Sequence, residues 1–435
     1  MPHRPRALMI CPAVPDRTGN GLAMRLGTFL QGLAGIAEVD LIVPAVAGSP
    51  SGSPVVPRSL GVMINAFPIH QALDTRFSLL QRLKDPDRRI EAFRQYGRPS
   101  FSACLTADLL AYLAKLGQQR RYDLVHVGRV YMAEAGLAAA TANTRLSLDL
   151  DEDDYVSLSS IADLFPADDP ARVRAWNKLD AEAMDRMVAQ LAPRYHRRWV
   201  SSAADIATLR ERHPSLDFEL VPNAVALPDE VPRRRDGRTL MFVGTFGYPP
   251  NVTGLLWFCR EVWPLLRARA KVPLELLVVG AGAPPRVKRL HAPRGIRRLL
   301  GADTGIRVLG AVKDLASVYA RAAVSIAPVR GGRGTRLKLL EAAAYGVPIV
   351  ATSDAARGLP TEPPWAWIGD SPQAFAQACL EALADTPETA QRVARGRHLV
   401  AASHDRSQVA TEIASRFGQM LELSGSDAVS APTAR

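Results

Sequence analysis

Short apolar runs alternate with longer helical stretches along this 435-residue chain, and the alternation occurs twice. In the first half, residues 7–11, 39–43, 122–127, 146–150 and 198–202 each read as a strand, with helical stretches such as 22–33 and 168–191 between them. The second half repeats the pattern, with strands at 239–243, 274–279, 306–309, 323–328 and 348–351. A strand that is followed by a helix before the next strand begins pairs in parallel, and a parallel sheet needs helices over both faces. The expectation is an α/β chain with two doubly wound sheets, and the length suits two domains that each bury a core. A proline- and charge-rich stretch marks a hinge or linker at 223–237, between a domain at 1–222 and a second at 238–404. The small, polar residues 424–435 read as a disordered tail.

Composition excludes several classes. With 47% apolar and 22% charged residues the chain is globular, and no run approaches the roughly 18 apolar residues of a membrane span. The short apolar stretch after the N-terminus reads as a first strand rather than a signal peptide. Cys11, Cys104, Cys259 and Cys379 lie far apart with no metal-ligand spacing, which suits free thiols in a reducing cytoplasm. The formal charge of +11 raises two anionic partners. Nucleic acid is not expected, because no helix-turn-helix, zinc or RNA-stacking signature accompanies the charge. An anionic membrane surface is the other. Residues 76–98 mix Phe77, Leu79, Leu80, Leu83, Ile90 and Phe93 with arginines and lysines, a pattern open to two readings: a helix lying on a bilayer, or a solvated helix face.

The most specific chemistry lies at 328–352. A strand runs into a glycine-rich loop with Gly331, Gly332 and Gly334, and a helix opens near Arg336. Glycines let backbone approach a ligand with no Cβ in the way, and a helix N-terminus presents unpaired N–H groups suited to phosphate. Arg330, Arg333, Arg336 and Lys338 add positive charge, Thr335 follows the last glycine, and Glu341 sits about one turn into the helix.

That string resembles the donor-site motif of the group 1 retaining glycosyltransferases, family 4, whose members often carry Pro-x-Arg-x-Gly-Gly-Gly-Thr-Arg-x-Lys-x-x-Glu-Ala followed by Gly-x-Pro-Val-Val-x-Thr. Phe242-Val243-Gly244-Thr245, Pro249-Pro250-Asn251 and Trp257-Phe258 resemble the start of that family's C-terminal domain, and Val221-Pro222-Asn223 its hinge. The resemblance implies a GT-B fold: two Rossmann-like domains facing a central cleft, acceptor domain first, nucleotide-sugar domain second, and a last helix at 405–423 packing back on the first. It implies transfer of a sugar from a nucleoside diphosphate sugar to a hydroxyl of a glycan or lipid-linked acceptor. Cofactors and metal are not expected, since basic side chains and a helix dipole would neutralise the diphosphate. The implied location is cytoplasmic, at the inner membrane face.

The resemblance also assigns residues. Glu341 would accept the ribose hydroxyls, Arg330, Arg336 and Lys338 would hold the diphosphate, and Gly332, Gly334, Thr335 and Gly244 would line the donor site. Gly310 and Val312 would support the nucleotide base, and Gly19 and Gly21 would face the donor phosphate from the first domain. His126 stands near a position where relatives contact the sugar. Arg333 replaces a frequent glutamate at the donor sugar, which leaves open a degenerate protein that binds without turnover. The run 149–154 holds five carboxylates in six residues. It suggests either a cation site or, for Asp149 and Asp151, a strand end facing the acceptor.

Overall fold

The computed structural model describes residues 4–44, 64–68, 70, 72–229, 236–291, 304–312, 314–332 and 337–427. The chain divides into two compact units, one formed by 1–223 with 406–435 and the other by 224–405.

The first unit is built on seven strands: β1 (Arg6–Ile10), β2 (Glu38–Ile42), β3 (Ile64–Ala66), β4 (Leu124–Gly128), β5 (Arg145–Asp151), β6 (Arg197–Val200) and β7 (Glu219–Leu220). They lie in the order β3-β2-β1-β4-β5-β6-β7, and every neighbouring pair is parallel. β1 sits in the middle with Ala7, Leu8, Met9 and Ile10 fully buried, because helices cover both its faces. The chain therefore leaves β1 outward to β2 and β3, then returns to β4 on the other side. That reversal is the doubly wound arrangement expected from the alternation.

The second unit repeats it with β8 (Thr239–Val243), β9 (Glu275–Val279), β10 (Ile306–Gly310), β11 (Val324–Ala327), β12 (Ile349–Ala351) and β13 (Trp367–Ile368). Their order is β10-β9-β8-β11-β12-β13, again all parallel, with the reversal between β8 and β11. Its core gathers Leu240, Phe242, Leu255, Phe258, Trp263 and Phe375 around the central strands.

The last helix, Arg406–Asp427, belongs to the first unit. It lies so close to the first helix, Gly21–Ile36, that a Cβ on Gly32 would stand 2.7 Å from the Ala410 carbonyl oxygen and from Ile413. Phe417 enters an aromatic cluster with Phe29, His126 and Trp199. Two expectations need correction here. The helix continues to Asp427, into residues read as a disordered tail, and 428–435 lie outside the described residues. Nor is 223–237 simply a linker: Val225 is buried, bridges Asp405, and donates its N–H to the His404 carbonyl. Residues 230–235 lie outside the described residues.

The basic segment 76–98 forms two helices, Thr75–Gln81 and Pro86–Tyr96. Phe77, Leu80, Phe93 and Tyr96 pack with Ala103 against Trp176, and the Phe93 and Trp176 rings stack at 3.9 Å. Most of the apolar face read as available to a bilayer is thus core, with Leu79 left exposed. No helix among the described residues is long and apolar enough to cross a membrane.

Phe417 is fully buried, so Phe417→Ala is expected to cost about 3–5 kcal/mol of unfolding free energy, the range for deleting a buried aromatic ring. Urea unfolding of the intact chain measures this, and a change under about 1 kcal/mol would mean that the last helix is only loosely docked.

Candidate functional site

In an open parallel sheet, the crevice for ligands lies beyond the carboxyl ends of the two strands where the order reverses. In the second unit these are β8 and β11. Gly244 directly follows β8, and its N–H donates to the Val279 carbonyl at 3.0 Å. A Cβ on Gly244 would stand 2.8 Å from Asn251 Nδ2 and 3.0 Å from Lys338 Nζ, so glycine there leaves room for both side chains. The Asn251 amide donates to the Thr245 carbonyl at 2.8 Å and accepts from Lys338 Nζ at 2.6 Å. Lys338 also lies over the Phe242 ring, 4.9 Å from its centroid. The lysine, one residue into the helix Leu337–Ala344, is therefore aimed back at the end of β8. Asn251 is the site residue the sequence reading missed. It appeared there only within a family string, although a buried asparagine at the start of a helix was itself a signal.

β11 leads through Pro328 and Val329 to Arg330, which is exposed and sits over the Trp257 ring at 5.1 Å. Gly331 and Gly332 both take φ of +76°, a left-handed conformation that glycine adopts without strain. Gly331 donates its N–H to Asp354 at 3.1 Å, and the Thr352 hydroxyl donates to the Val329 carbonyl. The start of the loop is thereby tied to β12's end. Arg333, Gly334, Thr335 and Arg336 lie outside the described residues.

Glu341 follows one turn after Leu337. Burial pushes its carboxyl up to about 7, against the pull of the Lys338 ammonium. Among the described residues its carboxyl has no hydrogen-bond or ion-pair partner. Behind it the rings of Tyr319 and Tyr345 stack at 4.7 Å, and the Tyr319 hydroxyl is buried with no partner among the described residues. Gly310 closes β10 with φ of +72° and open space where a Cβ would be, and Val312 beside it is partly exposed. Gly280 makes a close approach: a Cβ there would overlap the Gly244 carbonyl.

In the first unit, the loop after β1 holds Gly19 with φ of +105°, and Gly21 is the first residue of the helix that Asn20 caps through Ala23 N–H. The acidic run begins at the end of β5. Asp149 is fully buried and takes a two-point contact from Arg25, Nη2 at 2.7 Å and Nε at 2.8 Å. Arg25 also donates to the Val221 carbonyl at 2.9 Å and to Asn223 Oδ1 at 3.1 Å. Arg129, buried at the end of β4, pairs with Asp151 at 2.9 Å, Glu152 at 3.4 Å and Asp154. Asp153 caps the next helix and pairs with Arg212 at 2.6 Å. The run is an ion-pair network rather than a row of open carboxylates. Burial still raises Glu152 to about 8 and Asp154 to about 6 against the attraction of Arg129.

Two expectations fail on this geometry. Asp149 is a structural partner of Arg25 with no exposed surface, so it cannot meet an acceptor. His126 is a core residue: it is fully buried, stacked on Phe29 at 4.7 Å, hydrogen-bonded to Ser147 at 3.1 Å, and held neutral by burial, which lowers its pKa to about 3. Asp151, with φ of +67° and a side chain 15% exposed, and Glu152, 19% exposed, are the members of the run that keep a face to solvent.

Comparison with known proteins agrees with the arrangement in the second unit. Residues 237–385 match the family model of glycosyl transferases group 1. The second unit is a group 1 glycosyl transferase domain. The protein is accordingly a nucleotide-sugar-dependent glycosyltransferase. Over nearly the whole chain the fold is GT-B, as the solved structures show. A sucrose-phosphate synthase from Thermosynechococcus elongatus superposes with a TM-score of 0.63 at 17% identity, covering 96% of this chain and 100% of the other. A glycosyltransferase from Rickettsia africae gives 0.61 at 12% identity, covering 97% and 99%. HepE of Anabaena, solved with UDP and glucose, gives 0.60 at 14%, covering 95% and 99%. No curated protein matches the glycosyltransferase.

The Arg25–Asp149 pair yields a test. Arg25→Met strands a buried carboxylate and is expected to cost about 3–5 kcal/mol, whereas Arg25→Met with Asp149→Leu should recover most of it, because apolar residues can replace a complete buried pair. Denaturant unfolding of both variants decides this, and an equally unstable double variant would count against a mainly electrostatic role.

Proposed function

We propose that the enzyme transfers a hexose from a nucleoside diphosphate sugar, with retention, to a hydroxyl on a glycan or lipid-linked acceptor. The observation that carries this reading is Glu341: a carboxyl without a protein partner among the described residues, beside Lys338, at the reversal point of the sheet. An ionised carboxylate accepts two vicinal O–H donors, which is what a ribose offers. Lys338, held by Asn251, would take the negative charge that develops on the departing diphosphate. Gly334, Thr335, Arg336 and Arg330 are assigned to the same diphosphate, and Gly244, Gly310 and Val312 to the nucleotide. From the first unit, Gly19 and Gly21 are assigned to the donor phosphate and Asp151 to the acceptor. The attacking hydroxyl would enter on the face the diphosphate leaves, and the leaving group would take its proton. Protein work is then positioning and charge stabilisation, and the proposal gives no step to a metal ion. UDP-glucose is the first donor to try, because HepE of Anabaena was solved with it. An acceptor at the cytoplasmic face of a membrane suits the net charge of +11, which an anionic lipid surface would attract.

Glu341 gives the test a sign. Its carboxyl titrates at about 7 in the free enzyme and must be ionised to accept ribose hydroxyls, so binding releases a proton at lower pH. The affinity for UDP-glucose should rise about tenfold from roughly pH 6 to pH 8 and then level off. Calorimetry in buffers of different ionisation enthalpy reads both affinity and proton release. In Glu341→Gln the profile should be flat and binding weak. Unchanged binding in that variant, or no transfer or hydrolysis from UDP-, GDP-, ADP- or dTDP-sugars, would overturn the reading.

Lys338→Ala should lower kcat about a hundredfold, the order seen when one preorganised charge stabiliser is removed. Asn251→Ala should fall between that variant and the parent, since the ammonium remains but is no longer held. Labelled-donor turnover measures both. Equal activity in all three would remove Lys338 from the mechanism.

A further inference from the structure

The amino ends of β5, β6 and β7 carry a second set of basic groups, unrelated to the strand ends above. Arg145 opens β5, Arg197 opens β6 and Glu219 opens β7, so the parallel pairing brings them to one edge of the first unit. They line a cavity of about 480 Å³ together with His196, Arg198 and Asp217. β5 is seven residues long, which places this edge roughly 20 Å from Asp151 at its other end.

The donor inventory of the wall is specific. The Leu146 N–H donates to His196 Nδ1 at 3.0 Å, which fixes the tautomer with its proton on Nε2. Arg198 donates to three main-chain carbonyls, those of Asp217, Ala192 and Tyr195, so neutral acceptors hold it while it keeps its charge in the wall. Glu219 accepts from Arg197 at 2.8 Å and from Trp199 at 3.3 Å and lies 3.5 Å from Arg416 on the last helix, so two guanidiniums share its one negative charge. Asp217 is exposed. Positive charge exceeds negative around a concave space, and three of the lining groups are planar guanidinium forks, which match phosphate oxygens in pairs.

We propose that this cavity binds a phosphate monoester, at a site separate from the donor site. The volume is that of a small-ligand pocket and leaves room for the group that carries the phosphate. Among the described residues no Phe, Tyr or Trp side chain lines it, and Met420 is its apolar wall, so it offers a base little to stack on and favours a sugar or glycerol phosphate over a nucleotide. The phosphate can arrive on a soluble sugar or on a lipid headgroup.

His196 is the reporter. In the free protein its pKa is lowered, by burial and then by the nearby Arg145 and Arg198. A dianion among those arginines reverses the field and raises it. The full-length protein is followed by NMR of the His196 ring, assigned by His196→Gln, against pH. The additions are glucose 6-phosphate, glucose, sodium chloride at matched ionic strength, and vesicles containing phosphatidic acid. The expected result is a saturable upward shift with the soluble ester or with the vesicles, whichever carries the ligand, and none with glucose or salt. Arg145→Gln and Arg197→Gln should each weaken the response about tenfold and leave turnover of the donor sugar unchanged. No saturable shift with either phosphate carrier, an equal shift with salt, or a response untouched by both substitutions would overturn the proposal. Glu341→Gln should weaken donor binding and spare the His196 response, so failure at either site is read separately.

Discussion

A guanidinium and a carboxylate, both cut off from water, tie together parts of the first unit that lie far apart in sequence. Arg25 comes from the first helix, Asp149 from the end of β5, and the same guanidinium reaches the Val221 carbonyl and Asn223. Neither charge could be buried alone, since the desolvation of each is several kcal/mol. The two-point geometry and the carbonyl beyond it satisfy the groups together. The neighbouring arginine, Arg129, continues the network to Asp151, Glu152 and Asp154. The carboxyl end of this sheet is thus rigid through electrostatics, where the amino-terminal strands are rigid through packing.

That division of labour explains what the sequence made legible. Central strands showed themselves as apolar runs because both faces are covered, and the two order reversals follow from alternation alone. β3, β7 and β13 passed unnoticed, being three, two and two residues long and too short for a pattern to form. The motif around Glu341 was readable since its chemistry is local: glycines, basic residues and a carboxylate within a dozen positions.

The residues misjudged were those whose surroundings come from elsewhere in the chain. Five carboxylates within six residues look available until Arg25, 124 residues from Asp149, is placed beside them. His126 looks like a strand-end ligand until Phe29 and Trp199 close over it. Asn251 and Lys338, 87 residues apart, are joined by a hydrogen bond that no spacing rule would predict. What a sequence conceals here is partnership, not residue type.

The return of the last helix to the first unit has a consequence for chain entropy. Because residues 406–435 rejoin 1–223, the second unit is an insertion with both ends anchored, and the Val225–Asp405 bridge holds those ends side by side. If the second unit unfolds while the first stays folded, it becomes a closed loop rather than a free chain. A closed loop has fewer conformations than an open one of equal length. The first unit therefore acts on the second as a cross-link does, raising the free energy of its unfolded state without touching its core.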